Sequence, residues 1–338
     1  MKSCSALLSM FATLIALASC ASVPSEPAAW DASPGAMRHV FPDSEFIAEQ
    51  GRGATRAAAE ANASASLAQF FSSEIASRIA IREQYQEQNG AAQASTEIES
   101  ETFVQSQVTL FGIRHAQDAY FDKRSREWVT VAYIDRAEAW KVFALRFTQQ
   151  SQAFARLFDV AETESDFFRK ALRYTAAQDF ARLPDFRSAE SLGQLLDPAK
   201  MAAEFATTLA SLSALPQKAA DARRNAPVFI DISSDFESLL QNAFAQKFAS
   251  LGFPVAKNSD SAAAVCLVTV EEGRQDRQLG IFYFPKVQTT LTSPAGTLFT
   301  FSTEADQQSA VTADVAKRRA YQALAEAVQT NFSLATNF

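Results

Sequence analysis

The sequence predicts an α+β chain: two small α+β domains joined by a long antiparallel helical hairpin. Three observations predict it. Short apolar–polar alternations bounded by turn residues occur toward both ends, at Glu127–Ile134, Ala264–Val270 and Thr297–Thr303. Between Pro42 and Pro184 there is no proline, and between Gly112 and Gly193 no glycine, so a helix there meets no breaker. Across that stretch Trp140, Phe147, Phe154, Ala161 and Phe168 recur every seven residues, the spacing of a coiled-coil seam.

The chain begins with a secretory leader: Lys2, an apolar run over Ala6–Ala18, then small residues. The run is too short for a membrane span, which needs about 20 residues. Its end, Leu17-Ala18-Ser19-Cys20, resembles the bacterial lipobox. The resemblance implies cleavage before Cys20 and a thioether-linked diacylglycerol on it. The alternative is an ordinary signal peptide cut at a nearby Ala-x-Ala-like site. Ala21, in place of aspartate, points by the same resemblance to the outer membrane. Residues 1–19 are thus read as signal peptide. Residues 20–40, with Pro24, Pro27, Pro34 and Gly35, are read as a lipidated N-terminus and flexible tether.

The composition is that of a globular protein, with 48% apolar and 20% charged residues and 28 phenylalanines among 338 residues. A net charge of −7 argues against nucleic acid and against electrostatic docking on anionic lipid. Once Cys4 leaves with the leader and Cys20 carries lipid, Cys266 stands alone, so neither an intrachain disulfide nor a cysteine metal cluster is expected. In Ala-Val-Cys-Leu-Val it reads as a buried hydrophobe on a strand.

Residues 41–147 read as an α+β domain. Ser44–Glu49 is a strand ended by Gly51-Arg52-Gly53; Thr55 caps a helix burying Ala59, Ala63, Leu67 and Phe70. Ile75, Ser77, Ile79, Ile81 and Glu83 alternate as a strand, Gly90–Ser95 is loop, and Val108–Phe121 pairs with Glu127–Ile134 around Asp122–Ser125. Val129, Val131 and Tyr133 share one face. The pattern Pro42-x3-Phe46-Ile47-x3-Gly51-x-Gly53-x-Thr55, with alanines following every fourth residue, resembles the start of the LPP20-like lipoprotein family. Val129-Thr130-Val131-Ala132-Tyr133-Ile134-Asp135-Arg136 resembles its closing strand. The resemblance implies an outer-membrane or surface lipoprotein domain, related to modules of flagellar-associated and envelope-assembly proteins, and brings no catalytic residues. The polar insert Gln84–Glu101 departs from the family pattern.

Residues 148–225 read as the helical hairpin. A first helix is expected from Arg136 to about Arg182, roughly 70 Å long. Pro184 and Leu192–Pro198 turn the chain, and Met201, Phe205, Leu209, Leu212 and Leu215 line the returning helix. A sharper alternative leaves part of the first seam open for a partner.

Residues 226–338 read as a second α+β domain in the order β-α-β-β-β-β-α. Its elements are Val228–Ile232, a helix capped by Asp235 with Leu239, Leu240, Ala243, Phe244 and Phe248 inward, and a stop at Gly252. Strands Ala264–Val270, Leu279–Leu291 and Thr297–Thr303 follow, the last two joined by Ser293–Gly296. A helix over Ala310–Phe332 carries Val311, Val315, Tyr321, Leu324 and Val328. This order is weakly similar to periplasmic domains of lipoproteins that activate cell-wall synthases or assemble secretion channels, a likeness of fold alone.

The search for chemistry returns no catalytic, cofactor or metal residues. His39 and His115 lack ligand-spaced partners, and no Gly-x-Ser-x-Gly elbow occurs. Gly51-Arg52-Gly53 lacks the rest of a phosphate loop. Asp231 with Asp235, and Glu271 with Glu272, suit solvated or capping roles. Asp118, Asp122 and Asp135 lack the remainder of a calcium loop, and Arg223-Arg224 and Lys317-Arg318-Arg319 sit at helix ends. The expectation is a non-enzymatic envelope lipoprotein, held at the outer membrane by Cys20 with its body in the periplasm, contacting other envelope proteins as scaffold or accessory factor. The alternative is a regulator of a periplasmic enzyme such as a peptidoglycan synthase, or a flagellar or secretion assembly factor. A small-molecule substrate is not expected.

Overall fold

The computed structural model describes residues 24–33, 35–87, 112–278 and 280–334, with helix and strand both well represented: the chain is α+β. The leader, Cys20, and the stretch holding Gly90–Ser95 and the start of the Val108 strand lie outside the described residues, as does Gln88–Glu101 of the polar insert. The chain divides into two compact units, one of residues 1–147 and 187–199 and the other of 148–186 and 200–338.

In the first unit, β1 (Phe46–Gly53) pairs antiparallel with β4 (Glu127–Asp135). The short strands β2 (Arg114–His115) and β3 (Tyr120–Asp122) pair with β4 on its other edge. The sequence reading ended β1 before the glycines; instead the strand runs through them. Gly51 lies so close to α2 (Arg56–Glu87) that a Cβ there would stand 2.2 Å from the Ala63 nitrogen and 2.3 Å from the Ala59 oxygen. Absence of a side chain is what lets helix meet strand. Thr55 caps α2, its Oγ1 accepting from the Ala58 amide at 3.1 Å, and Ala59, Ala63, Leu67, Phe71 and Ile75 form the buried stripe. Phe70, expected in that stripe, is half-buried. The strand expected over Ile75–Glu83 is helix, with Glu74 and Arg78 paired one turn apart. Of its alternating isoleucines Ile75 joins the buried stripe, Ile79 is half-buried and Ile81 is exposed.

The opposite face of the sheet carries Val129, Val131 and Tyr133, as their alternation implies. What covers it is the stretch read as a tether. A single 3-10 turn (Ala29–Asp31) and α1 (Ala36–Val40) lay Ala28, Trp30, Met37 and Phe41 over Ala116, Tyr120, Val129 and Val131. Trp30 is 2% exposed, and Phe41 packs on Tyr133 with ring centroids 4.9 Å apart. From Pro24 onward this segment is docked rather than loose, because the apolar face of β4 would otherwise stand in water.

The long first helix is interrupted. α3 (Arg136–Thr163) stops and α4 (Phe167–Arg182) restarts after Asp166, whose carboxylate accepts from the Arg169 amide at 2.9 Å. An aspartate able to cap competes with helix continuation. Pro184 is no turn either. It is the first residue of α5 (Pro184–Leu196), where its missing N–H costs nothing. The last carbonyls of α5, Leu195 and Leu196, accept from Arg136 Nη1 at 2.5 and 2.9 Å. The returning stretch is likewise two helices, α6 (Pro198–Glu204) and α7 (Ala206–Arg224). The seam residues Phe154, Ala161 and Phe168 are fully buried in the second unit, where α4 packs against α7.

The second unit also holds a sheet in the order β10 (Gly296–Glu304), β9 (Lys286–Ser293), β6 (Ala264–Glu271) and β5 (Val228–Ile232), antiparallel except for β5 with β6. α8 (Leu239–Ser250) connects the parallel pair and ends at Gly252, φ +86°, with the Phe253 amide reaching back to the Phe248 carbonyl at 2.9 Å. The single run expected over Leu279–Leu291 is split at Phe284-Pro285. Its first part, β8 (Gly280–Tyr283), joins β7 (Arg274–Arg277) and β11 (Gln308–Ala310) in a separate three-stranded sheet. The closing helix α9 (Ala313–Asn331) buries Ala316, Ala320, Tyr321, Leu324 and Val328. Val311 precedes it, 89% exposed, and Val315 faces outward. Phe244, Phe248, Phe299 and Phe301 all meet Phe332, with centroids 5.3–5.7 Å away. The phenylalanine-rich composition is spent on such edge-to-face clusters.

Candidate functional site

Most residues singled out in the sequence have structural work. Asp118 accepts from the Trp30 indole at 2.7 Å. Asp122 holds the β3–β4 turn, accepting from the Arg124 amide and the Ser125 hydroxyl. Asp135 caps α3 through the amides of Ala137 and Glu138, and Asp235 accepts from those of Leu240 and Gln241. Asp231 is exposed. Arg223 donates to Thr175 and Gln178, and Arg224 pairs with Asp221. Arg318 chelates Glu237, while Arg319 donates to the Ser309 carbonyl.

The two histidines are apart. His39 lies exposed on α1. His115 Nε2 stands 2.9 Å from Ser64 Oγ and 3.1 Å from the Glu60 carbonyl. A carbonyl only accepts, so a proton on Nε2 serves both contacts, and Ser64 in turn donates to the same carbonyl at 3.0 Å. A nitrogen carrying a proton is no base for that serine, so the pair latches α2 to β2. Cys266 is fully buried on β6, and burial pushes its thiol up to about 12.

Two partly exposed ionic clusters are built around buried tyrosines. Glu162 pairs with Lys218 and accepts from Tyr174; the Lys218 hydrogen bond holds its carboxyl below the usual range, while burial pushes Tyr174 up. Tyr321 donates to Glu272 at 2.6 Å, and Lys317 pairs with the same carboxylate at 2.7 Å while lying over the Phe236 ring. Burial alone would raise Glu272, but hydrogen bonds from Lys317 and Tyr321 outweigh it. Glu271 accepts from Gln288 at 3.3 Å. Among the described residues no three acidic, histidine or cysteine side chains cluster to hold a metal, and no helix is long and apolar enough to cross a membrane.

A groove of about 400 Å³ lies in the second unit, between α3 and α4. It is lined by Ala153, Leu157, Val160 and Ala176 together with Arg156 and Arg173. Arg173 is tied to Glu164 at 2.8 Å; Arg156 has no ion pair among the described residues. Leu157 lies three residues beyond Phe154 of the seam, and no periodicity argument marked the arginines beside it. The groove thus combines apolar side chains with two arginines.

No family model matches the chain, and no curated protein matches it. Among solved structures, the crystal structure of the secreted protein HP1454 from Helicobacter pylori aligns over 85% of this chain and 99% of its own. Identity is 12% and the TM-score 0.32, too low to establish a shared fold.

Proposed function

We propose that this protein is a bacterial envelope lipoprotein, anchored through Cys20 at the outer membrane, that works by docking other envelope proteins rather than by catalysis. In this reading two α+β parts, 41–147 and 226–338, are joined by a helical arm over 148–225, and an LPP20-like ancestry accounts for the first. The observation that carries the docking role is the groove between α3 and α4. An apolar lining beside Arg156, which has no ion pair among the described residues, suits an amphipathic segment bearing an acidic residue. Burying such a segment removes apolar surface from water, and the arginine supplies a charge-assisted contact. A partner that is a periplasmic enzyme would make the protein its regulator.

The test is a photo-crosslinking residue at Val160 in living cells. A single adduct that disappears with Arg156→Glu supports the reading. Uniform labelling of many proteins, or an adduct indifferent to Arg156, overturns it.

A further inference from the structure

The first unit carries a cationic turn beside the point from which its lipid anchor must depart. The Phe121 amide on β3 donates to the Pro24 carbonyl at 2.7 Å, so the chain is pinned to the sheet edge from its twenty-fourth residue. Two residues beyond Phe121 comes the exposed β3–β4 turn with Lys123, Arg124 and Arg126. Asp122 is used up holding that turn and pairing with Arg52 at 3.6 Å. Lys123, Arg124 and Arg126 have no ion pair among the described residues. The acids nearest in sequence are Asp122, Glu127 and Asp118, the last accepting from the Trp30 indole.

If Cys20 bears the acyl chains, four peptide units separate the glycerol from Pro24, a span of at most about 14 Å even when fully extended. The surface potential decays over about 8 Å at physiological ionic strength, so even at full extension Pro24 stands less than two decay lengths from the glycerol. The body cannot swing freely at that length. We infer that the Lys123–Arg126 turn of the first unit rests on the headgroups of anionic phospholipids and orients that unit on the membrane. The net charge of −7 is an average over the whole chain, and attraction across a few ångströms depends on the charges at the contact. The inference rests on the lipid anchor proposed above.

The experiment uses full-length acylated protein in vesicles of phosphatidylethanolamine with or without phosphatidylglycerol, the lipids carrying headgroup quenchers. A fluorophore is placed at Ser125→Cys, on the turn, or at Ser77→Cys. Ser77 lies about 21 Å along α2 from Ala63, beyond the far end of the sheet. Buried Cys266 does not compete for label. The expected result is severalfold stronger quenching at 125 than at 77. That difference shrinks without phosphatidylglycerol, in high salt, and with Lys123→Gln/Arg124→Gln. Equal quenching at both positions on vesicle-bound protein overturns this inference and leaves the anchor standing. Strong quenching at 125 that ignores lipid charge and the two substitutions overturns the charge recognition. Protein that leaves the vesicles, with an unacylated N-terminus by mass spectrometry, brings down anchor and inference together.

Discussion

The indole nitrogen of Trp30 donates to the Asp118 carboxylate at 2.7 Å, joining residues eighty-eight positions apart. The same ring lies 5.9 Å from Tyr120, whose hydroxyl donates to Asp31; burial and that carboxylate push the phenol up to about 12. The N-terminal segment is thereby part of the first unit's core. Trp30→Ala should destabilise that unit by about 3–5 kcal/mol, the range for emptying a large aromatic site. Trp30→Phe, which keeps most of the ring volume and loses the hydrogen bond, should cost much less. Denaturant titration followed by circular dichroism measures both. Equal costs would show that the polar contact, not the packing, holds the segment.

Gly51→Ala tests the helix–strand approach. A methyl group 2.2 Å from a backbone nitrogen cannot be relieved by a rotamer change, so α2 must back away from β1. Overpacking of this kind costs about 1–3 kcal/mol or more. The expected outcome is a lowered denaturation midpoint together with faster hydrogen exchange along β1. An unchanged midpoint would mean the two elements separate at no cost.

The Glu162–Lys218 pair gives a pH dependence with a definite sign. The folded-state carboxyl is held below its ordinary value of 4.5 by Lys218, so the unfolded chain binds the proton more tightly. Its stabilisation is therefore complete above that value and is lost as pH falls through the lower, folded value. The pair is partly solvent-exposed, so the effect is modest. Lys218→Gln should make the decline in melting temperature between about pH 5 and pH 3 shallower. An identical acid limb in wild type and variant would remove the pair from the account.

Cys266 should be chemically silent in the folded state. Only the thiolate attacks alkylating reagents, and burial with a thiol pushed up to about 12 leaves almost none at neutral pH. Iodoacetamide should leave the Cys266 peptide unmodified in native protein and modify it fully in denaturant, as read by mass spectrometry. Rapid native labelling would reveal local opening of β6.

What the sequence alone determined is whatever closes within a few residues. Thr55 capping α2, the Asp122 turn, the Gly252 helix stop and the Ser293–Gly296 turn were all legible, because each is a hydrogen bond or a backbone angle set by immediate neighbours. So was the shared face of Val129, Val131 and Tyr133, since strand alternation is a local property. Tertiary structure alone decided what lies on that face. A proline-studded stretch reads as tether until Trp30 finds Asp118 and Tyr120, and nothing near residue 30 encodes that meeting. Gly51 and Gly53 read as a strand ending because their purpose is visible only once α2 lies over them. Ile75–Ile81 alternate like a strand, yet they extend α2, whose buried stripe takes Ile75 and leaves Ile81 exposed. The groove likewise joins Arg156 and Arg173 across two helices whose break at Asp166 local pattern did not announce. Short-range bonding is written in neighbouring residues; burial depends on which distant surface arrives to exclude the water.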